Sequence, residues 1–276
     1  ASFYLIANEP GAWRHFYFVR WLFVPNLASE LIVPLLAHLV GVETAAKLFL
    51  SAAVAMWVAG PAAVQHALFR KVSPLVLAGA FFAYNAPFMW GFFNFYFAAG
   101  CGFLVLAAWI RTAPGRSTAG YAGFAALFLV LYFFHLFAFL AAGLLIACFE
   151  ASRAFDERGT GDAGFAAALW RRLWPLAAAA LPALLFFLLL RPHGGEEGVL
   201  EFNLFDTVED RIESALEYYF EGPALTLSGI LIGFWFAGVL SGFLKVQPRM
   251  KLGLLVLGLA AALAPEWAMG GWGVHL

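Results

Sequence analysis

Residues 118–151, TAGYAGFAALFLVLYFFHLFAFLAAGLLIACFEA, form one apolar stretch that decides how often the chain crosses a membrane. A helix of that length would be about 50 Å long, whereas the hydrocarbon core of a bilayer is about 30 Å thick. Basic residues flank it at 111–116 and 153–158, and basic loops stay on the cytoplasmic side. An even number of crossings is therefore predicted, so we divide the stretch near Tyr132–His135 into two short helices.

The charged residues elsewhere follow the same division. The segments 70–71, 111–116, 153–172 and 245–251 hold eleven of the sixteen Lys and Arg residues. The loops predicted on the other side hold thirteen of the seventeen Asp and Glu residues. Hydrophobic residues make up 63% of the 276-residue chain and charged residues 12%, against about 25% charged in a soluble domain. The net charge of −1 gives no support to nucleic-acid binding, and the lipid bilayer is the expected partner.

The predicted fold is an all-α, polytopic transmembrane helix bundle of about eight spans. In addition to the two halves of 118–151, the clearest spans are 44–69, 74–91, 93–110, 173–190, 223–243 and 251–264. Residues 1–43 are expected on the outer face as a loop with juxtamembrane helices, and 44–276 form the bundle. Within the bundle, 191–222 is predicted to be an acidic amphipathic segment on the outer face.

The placement of residues 1–43 on the outer face requires that segment 22–42 does not cross the membrane fully. Its two prolines are expected to break it, so that it does not cross fully. Asn26, Glu30 and His38 recur at multiples of four and would share one helical face. A helix with a polar stripe lies at the interface or lines a cavity. A kinked ninth span is the alternative.

Polar residues inside apolar spans are the candidate site residues, because they are costly there. Asn85, Trp90 and Asn94 lie in YNAPFMWGFFNFYF, where Pro87 and Gly91 interrupt the helix. Aromatic rings stack on sugars and amides hydrogen-bond them, so this segment suits a lipid-linked or sugar-like ligand. The structural alternative is a tight helical hairpin capped by the two asparagines.

Three titratable or charged residues complete the candidate site. His135, in LYFFHLFAF, could be a general base, a phosphate contact, or a haem or chlorophyll ligand; a neutral histidine hydrogen-bonded within the bundle is the alternative. Arg14 and Arg20 are basic residues on the predicted outer side and so depart from the charge division. A guanidinium grips two phosphate oxygens, so phosphate binding is one interpretation and pairing with a carboxylate or a lipid headgroup the other. No Cys spacing predicts a metal site.

Several stretches resemble a known family of enzymes. HFYFVRWLFVPNLASELIVPLLAHLVGVETAAKLF, WGFFNFYFAAG, LYFFHLFAF and GGWGVHL resemble multi-span bacterial proteins related to the C-type glycosyltransferases. The resemblance implies a multi-pass protein of the bacterial inner membrane whose outer-face site uses a polyprenyl-phosphate sugar. It also implies a carboxylate early in the first outer loop that acts as base or metal ligand, so a divalent cation is a further expectation.

This chain departs from the family pattern at that carboxylate. Residues 1–43 contain no Asp, and the chain begins at Ala1 rather than Met. Either the catalytic carboxylate lies upstream of Ala1, in a longer chain whose C-terminal end also extends beyond Leu276, or this member of the family does not catalyse.

Three functions follow from these observations. The first is glycosyl transfer from a lipid-phosphate donor, with Arg14 or Arg20 on the phosphate and Asn85, Asn94 and His135 lining the donor cavity. The second is a non-catalytic subunit of a larger membrane complex, in which His135 contacts a pigment or a haem. The third is a transporter, although no internal repeat is visible in the sequence.

Overall fold

The computed structural model describes residues 25–83, 88, 91–112, 117–157, 164–189, 230, 233–234, 237–242 and 246–263. Within these ranges every regular element is helical, which confirms the predicted all-α class. The elements are α1 Ala28–Val40, α2 Val42–Phe69, a 3-10 helix Pro74–Phe82, α3 Phe93–Thr112, α4 Thr118–Phe134, α5 Leu136–Glu157, α6 Phe165–Leu189 and α7 Pro248–Leu263.

Four of these helices, α2, α3, α5 and α6, are long and apolar enough to cross a membrane. Helices α1 and α4 are apolar but shorter, with 13 and 17 residues. The chain is thus an α-helical membrane bundle, as predicted. The acidic segment 191–222 and most of the predicted span 223–243 lie outside the described residues.

The division of 118–151 into two helices is confirmed, and it falls at His135. This residue is extended, with φ −169° and ψ 128°, between the last residue of α4 and the first of α5. Any residue can adopt that backbone conformation, so the break needs neither glycine nor proline. The helix α6 begins at Phe165, eight residues before the predicted start of its span.

The chain forms two compact units, of which the first contains residues 1–143 and 174–191. Its centre is the contact between α2 and α3. Trp57 of α2 stacks on Tyr96 of α3 at 4.5 Å. Gly60, three residues after Trp57, packs on Gly100, four residues after Tyr96, so the two helices run parallel. The helix α4 runs antiparallel to α3, because its start packs on Trp109 and its end on Phe97.

The segment between two parallel helices must return from the end of one to the start of the next. The 3-10 helix Pro74–Phe82 makes this return, and the hydroxyl of Tyr96 fixes its end by donating to the carbonyl of Ala83 at 2.6 Å. Nine residues in a 3-10 helix rise about 18 Å, against about 14 Å in an α-helix. The prediction of an α-helical span over 74–91 is therefore wrong for 74–82, although the direction of this segment is as expected.

The structure corrects two details of segment 22–42. Pro34 lies inside α1, which continues to Val40. A proline inside a helix removes one backbone hydrogen bond, and membrane helices tolerate it because neighbouring groups satisfy the freed backbone. Asn26 precedes the helix in the left-handed region, at φ 78°, so it does not share a helical face with Glu30 and His38. Gly41, also at φ 78°, joins α1 directly to α2.

The second unit contains residues 144–173 and 192–276. It comprises the second half of α5, the first turns of α6, and α7. A small residue lets α7 approach α5 closely: a Cβ added at Gly253 would lie 3.2 Å from the side chain of Leu145 and 3.4 Å from Cys148.

Candidate functional site

The candidate site lies at the end of the first unit where α3 and α5 begin and α4 ends. We call it the polar junction, and it consists of Asn26, Ser29, Glu30, Asn94 and His135. Of the six site residues predicted from the sequence, Asn94 and His135 belong to this junction. The other four, Arg14, Arg20, Asn85 and Trp90, lie outside the described residues.

Asn94 connects α3 to the start of α1 through three hydrogen bonds. Its Oδ1 accepts from the backbone N–H of Ser29 at 2.6 Å. Its Nδ2 donates to the carbonyl of Asn26 at 2.8 Å and to Oε2 of Glu30 at 3.0 Å. The first N–H groups of a helix have no partner within it, so Asn94 caps α1 from a neighbouring helix.

Glu30 is the carboxylate of the polar junction, and its two oxygens differ. Oε2 accepts from the hydroxyl of Ser29 at 2.9 Å as well as from Asn94. Oε1 has no hydrogen bond to any described residue. One oxygen is therefore held in place by two donors, while the other has no donor among the residues that the structure describes.

His135 caps the start of α5 with its own side chain. The N–H of Phe137 donates to Nδ1 of the imidazole at 3.2 Å. A ring nitrogen that accepts a hydrogen bond carries no proton, so the proton of the neutral ring is on Nε2. Both nitrogens of a charged imidazolium would be donors, so the acceptor role of Nδ1 makes this ring neutral.

The described surroundings of the His135 ring are aromatic. The ring lies edge-on to Phe95, with 5.1 Å between centroids, and tilted against Phe137 at 5.9 Å. No group of the described chain hydrogen-bonds Nε2. The side chain therefore presents a single neutral N–H donor beside an aromatic ring.

Two further contacts place His135 and Asn94 at the same end of the unit. Phe95, which touches His135, follows Asn94 directly in α3. The N–H of Leu27 donates to the carbonyl of Phe133 at 2.8 Å, which joins the segment before α1 to the last turn of α4. The junction thus combines a half-buried carboxylate, an amide and a neutral imidazole.

An aromatic group packs beside the junction. Tyr96 contacts the rings of Trp57 and Phe88, and Phe88 also packs edge-on against Phe93 at 5.2 Å. Gly91 turns the chain into α3 at φ 85°, which favours glycine. The predicted interruption of the helix near Gly91 is confirmed, while the stacking role proposed for Trp90 stays a prediction.

A second group of charged residues was not singled out from the sequence. In the second unit, Arg172 donates to Glu150 at 3.2 Å and to Glu157, which also accepts from Arg171. Arg153 donates to Glu150, a residue only 3% exposed. The sequence signal was an acidic residue at the end of an apolar run with an arginine three positions later.

This ion-pair group is best explained as a structural link between α5 and α6. Each of its carboxylates is paired with arginine, and Asp156 pairs with Arg249 in the first turn of α7 at 2.8 Å. A buried carboxylate requires such compensation to remain charged. Within the described ranges, no three His, Cys, Asp or Glu side chains converge as metal ligands.

Comparisons with protein-family models, with curated proteins and with solved structures found no match for this chain. Any function must therefore be argued from the geometry of the polar junction and from the sequence.

Proposed function

We propose that the chain is a membrane-embedded glycosyltransferase-like protein that acts on a lipid-linked sugar, with the polar junction as part of its site. The observation that carries the proposal is a pair of polar atoms at one end of an apolar bundle that no described residue hydrogen-bonds, Oε1 of Glu30 and the Nε2–H of His135. Polar groups in such surroundings are costly, and this cost favours a functional role.

The chemistry would be displacement at the anomeric carbon of the donor. An acceptor hydroxyl forms the new C–O bond, a carboxylate takes the hydroxyl proton, and the bond to the lipid phosphate breaks with its electron pair on the leaving phosphate. Arg14 or Arg20 would hold the phosphate, and His135 would donate its Nε2–H to a phosphate or sugar oxygen. A divalent cation, if used, would add charge stabilisation at the same phosphate.

The alternative is a non-catalytic subunit of a larger membrane complex. One observation favours it: the three hydrogen bonds that Asn94 makes to described residues all hold the start of α1 against α3. The geometry of His135 argues against a pigment-binding or haem-binding form of this alternative. Nδ1 already accepts from Phe137, and Nε2 would have to lose its proton before it could bind a metal.

A pair of variants at one position tests the enzyme hypothesis. His135→Asn keeps an acceptor for the N–H of Phe137 but removes the distal donor, whereas His135→Gln places an amide N–H near the position of Nε2. In proteoliposomes with a labelled polyprenyl-phosphate sugar, we expect His135→Asn to lower kcat/KM by about tenfold or more. His135→Gln should retain more activity, and Arg20→Gln should abolish transfer.

The outcomes separate the two hypotheses. Unchanged turnover in both His135→Asn and Arg20→Gln would contradict the proposed roles of these residues. No turnover by the native protein, together with stoichiometric co-purification of other membrane subunits, would establish the structural alternative instead.

A further inference from the structure

The helix α1 and the first turns of α2 form a hairpin that extends beyond the start of α3. A single residue, Gly41, joins the two helices, and Val33 and Ala37 share a core with Ala45 and Phe49. The two helices are therefore antiparallel, and the hairpin turn at Gly41 is its tip.

The length of this extension follows from the register of α2 and α3. Trp57 stacks on Tyr96, three residues after the start of α3. Because the two helices run parallel, Val54 lies level with Phe93. The twelve residues from Val42 to Val54 rise about 18 Å, so the hairpin reaches about that far beyond α3.

One face of the hairpin is apolar and exposed. Leu31, Leu35 and Leu39 follow each other at four-residue intervals on α1 and are 38%, 70% and 81% exposed. This leucine stripe lies on the side of α1 away from Val33 and Ala37, which are buried. Leu48 continues the exposed apolar surface onto α2, a candidate membrane span.

The charges of α2 mark where the hydrocarbon core of the membrane ends. Glu43 and Lys47 form an exposed ion pair at 2.7 Å near the tip. From Leu48 to Phe69 the helix has no charged residue until Arg70 follows it. Those 22 residues rise about 33 Å, which matches the ~30 Å hydrocarbon thickness. In the antiparallel hairpin Lys47 is level with Leu35.

We propose that the hairpin is a shallow membrane anchor, whose leucine stripe passes from the headgroup region at Leu39 into the acyl chains of one leaflet at Leu31. Its tip reaches the headgroups at Gly41, and Leu31 lies within the hydrocarbon. Continuity with the apolar surface of α2 and the position of the ion pair favour lipid over another protein as the occupant. The polar junction, where Asn94 holds the start of α1, lies at the deeper end of the hairpin.

Site-directed spin labelling tests this proposal without reference to any activity. In a Cys101→Ala/Cys148→Ala background, single cysteines replace Leu31, Leu35 or Leu39, and Thr44→Cys near the tip is the matched control. Each nitroxide-labelled protein is reconstituted in phosphatidylcholine vesicles. Collision rates with oxygen, which concentrates in hydrocarbon, and with a water-soluble nickel chelate are then measured.

We expect the ratio of oxygen to nickel-chelate collisions to fall in the order Leu31, Leu35, Leu39, Thr44, since these positions rise through the leaflet. A ratio as low at Leu31 as at Thr44 would place the stripe in water and overturn the proposal. Low collision rates with both reagents at Leu31 and Leu35 would show that protein covers the stripe, from this chain or a second copy, and would also overturn it. Unfolding temperatures of the labelled proteins within a few degrees of the parent confirm that the fold is retained.

Discussion

At the scale of single residues, the contact between α2 and α3 depends on the absence of two side chains. A Cβ added at Gly60 would lie 2.9 Å from the carbonyl oxygen of Gly100, and one added at Gly100 would lie 2.6 Å from Cβ of Met56. Small residues at such positions let helix backbones approach closely within a membrane. These two glycines therefore set the distance between the helices that carry Trp57 and Asn94.

The first prediction concerns Gly100→Ala. The added methyl group must displace the backbone of α2 at Met56, so we expect a loss of about 1–3 kcal/mol of unfolding free energy. The matched control is Gly123→Ala in α4, where nothing lies within 4 Å of the new Cβ and alanine should stabilise the helix by about 0.5–1 kcal/mol. Denaturant unfolding in detergent micelles measures both, and equal effects of the two substitutions would contradict the close approach.

The second prediction concerns the cap that His135 forms on α5. Its Nδ1 accepts from the backbone N–H of Phe137 at 3.2 Å, and the loss of such a cap costs about 1 kcal/mol. We expect His135→Ala to lose about 1 kcal/mol of unfolding free energy. His135→Asn, whose side-chain oxygen can accept from the same N–H, should lose less. Denaturant unfolding in detergent micelles measures both variants, and equal losses would show that the side chain at this position does not cap the helix.

The residue scale also shows how far the sequence can predict the site. His135 could be located, because basic loops on both sides of an apolar stretch require a break near its middle. The partners of Asn94 could not be predicted from the sequence. Asn26, Ser29 and Glu30 are more than sixty positions away from Asn94 and come into contact with it only through helix packing. Helical periodicity had placed Asn26 on α1, whereas its positive φ keeps it outside the helix.

At the scale of helices, Asn94 and Glu30 hold α1 against α3, and the third prediction tests this pairing. Asn94→Asp keeps the acceptor for Ser29 but brings a carboxylate against Glu30, so we expect a loss of about 2 kcal/mol or more. Adding Glu30→Gln supplies an amide N–H that can donate to the new carboxylate at position 94, so the donor and the acceptor exchange places. The double variant should recover a good part of the lost unfolding free energy. Additive losses in the double-mutant cycle would contradict a direct hydrogen bond.

The fourth prediction compares a buried ion pair with an exposed one. Glu150 is 3% exposed and pairs with two arginines. Glu150→Ala removes the carboxylate that pairs with Arg153 and leaves Arg172 with Glu157 alone, so it should cost about 3 kcal/mol. Glu43→Ala removes an exposed pair with Lys47 and should cost about 0.5 kcal/mol or less. Unfolding free energies in micelles give the comparison. Similar costs at the two sites would mean that Glu150 does not act as a structural link.

The elements themselves were predicted unevenly. Apolar length and flanking charge located α2, α3, α5 and α6 well, because both depend on the membrane rather than on local detail. The 3-10 helix 74–82 could not be distinguished from an α-helix, since both suit the same apolar residues. The longer rise of a 3-10 helix suits the distance from the end of α2 to Ala83, which Tyr96 holds near the start of α3. That distance depends on the parallel packing of α2 and α3.

At the scale of the whole molecule, the division of charges can be combined with helix direction. Within the first unit α2 and α3 run parallel. Arg70 directly follows α2 and Arg111 is in the last turn of α3, so the two arginines lie at the same end of the unit. The antiparallel helix α4 begins at that end, whereas the hairpin tip at Gly41 lies at the other. This agrees with the prediction from the sequence that segments 70–71 and 111–116 face the same compartment.

The fifth prediction follows from this arrangement. Because basic segments stay in the cytoplasm, Thr44 should face the outer compartment and Thr118, at the start of α4, the cytoplasm. In the Cys101→Ala/Cys148→Ala background, we expect a membrane-impermeant maleimide to label Thr44→Cys in intact cells, and to label Thr118→Cys only after permeabilisation. Both side chains are exposed in the structure, so accessibility within the protein does not limit the reaction. The reverse pattern would place the polar junction on the cytoplasmic side, and a donor at the outer face could not then reach Glu30 or His135.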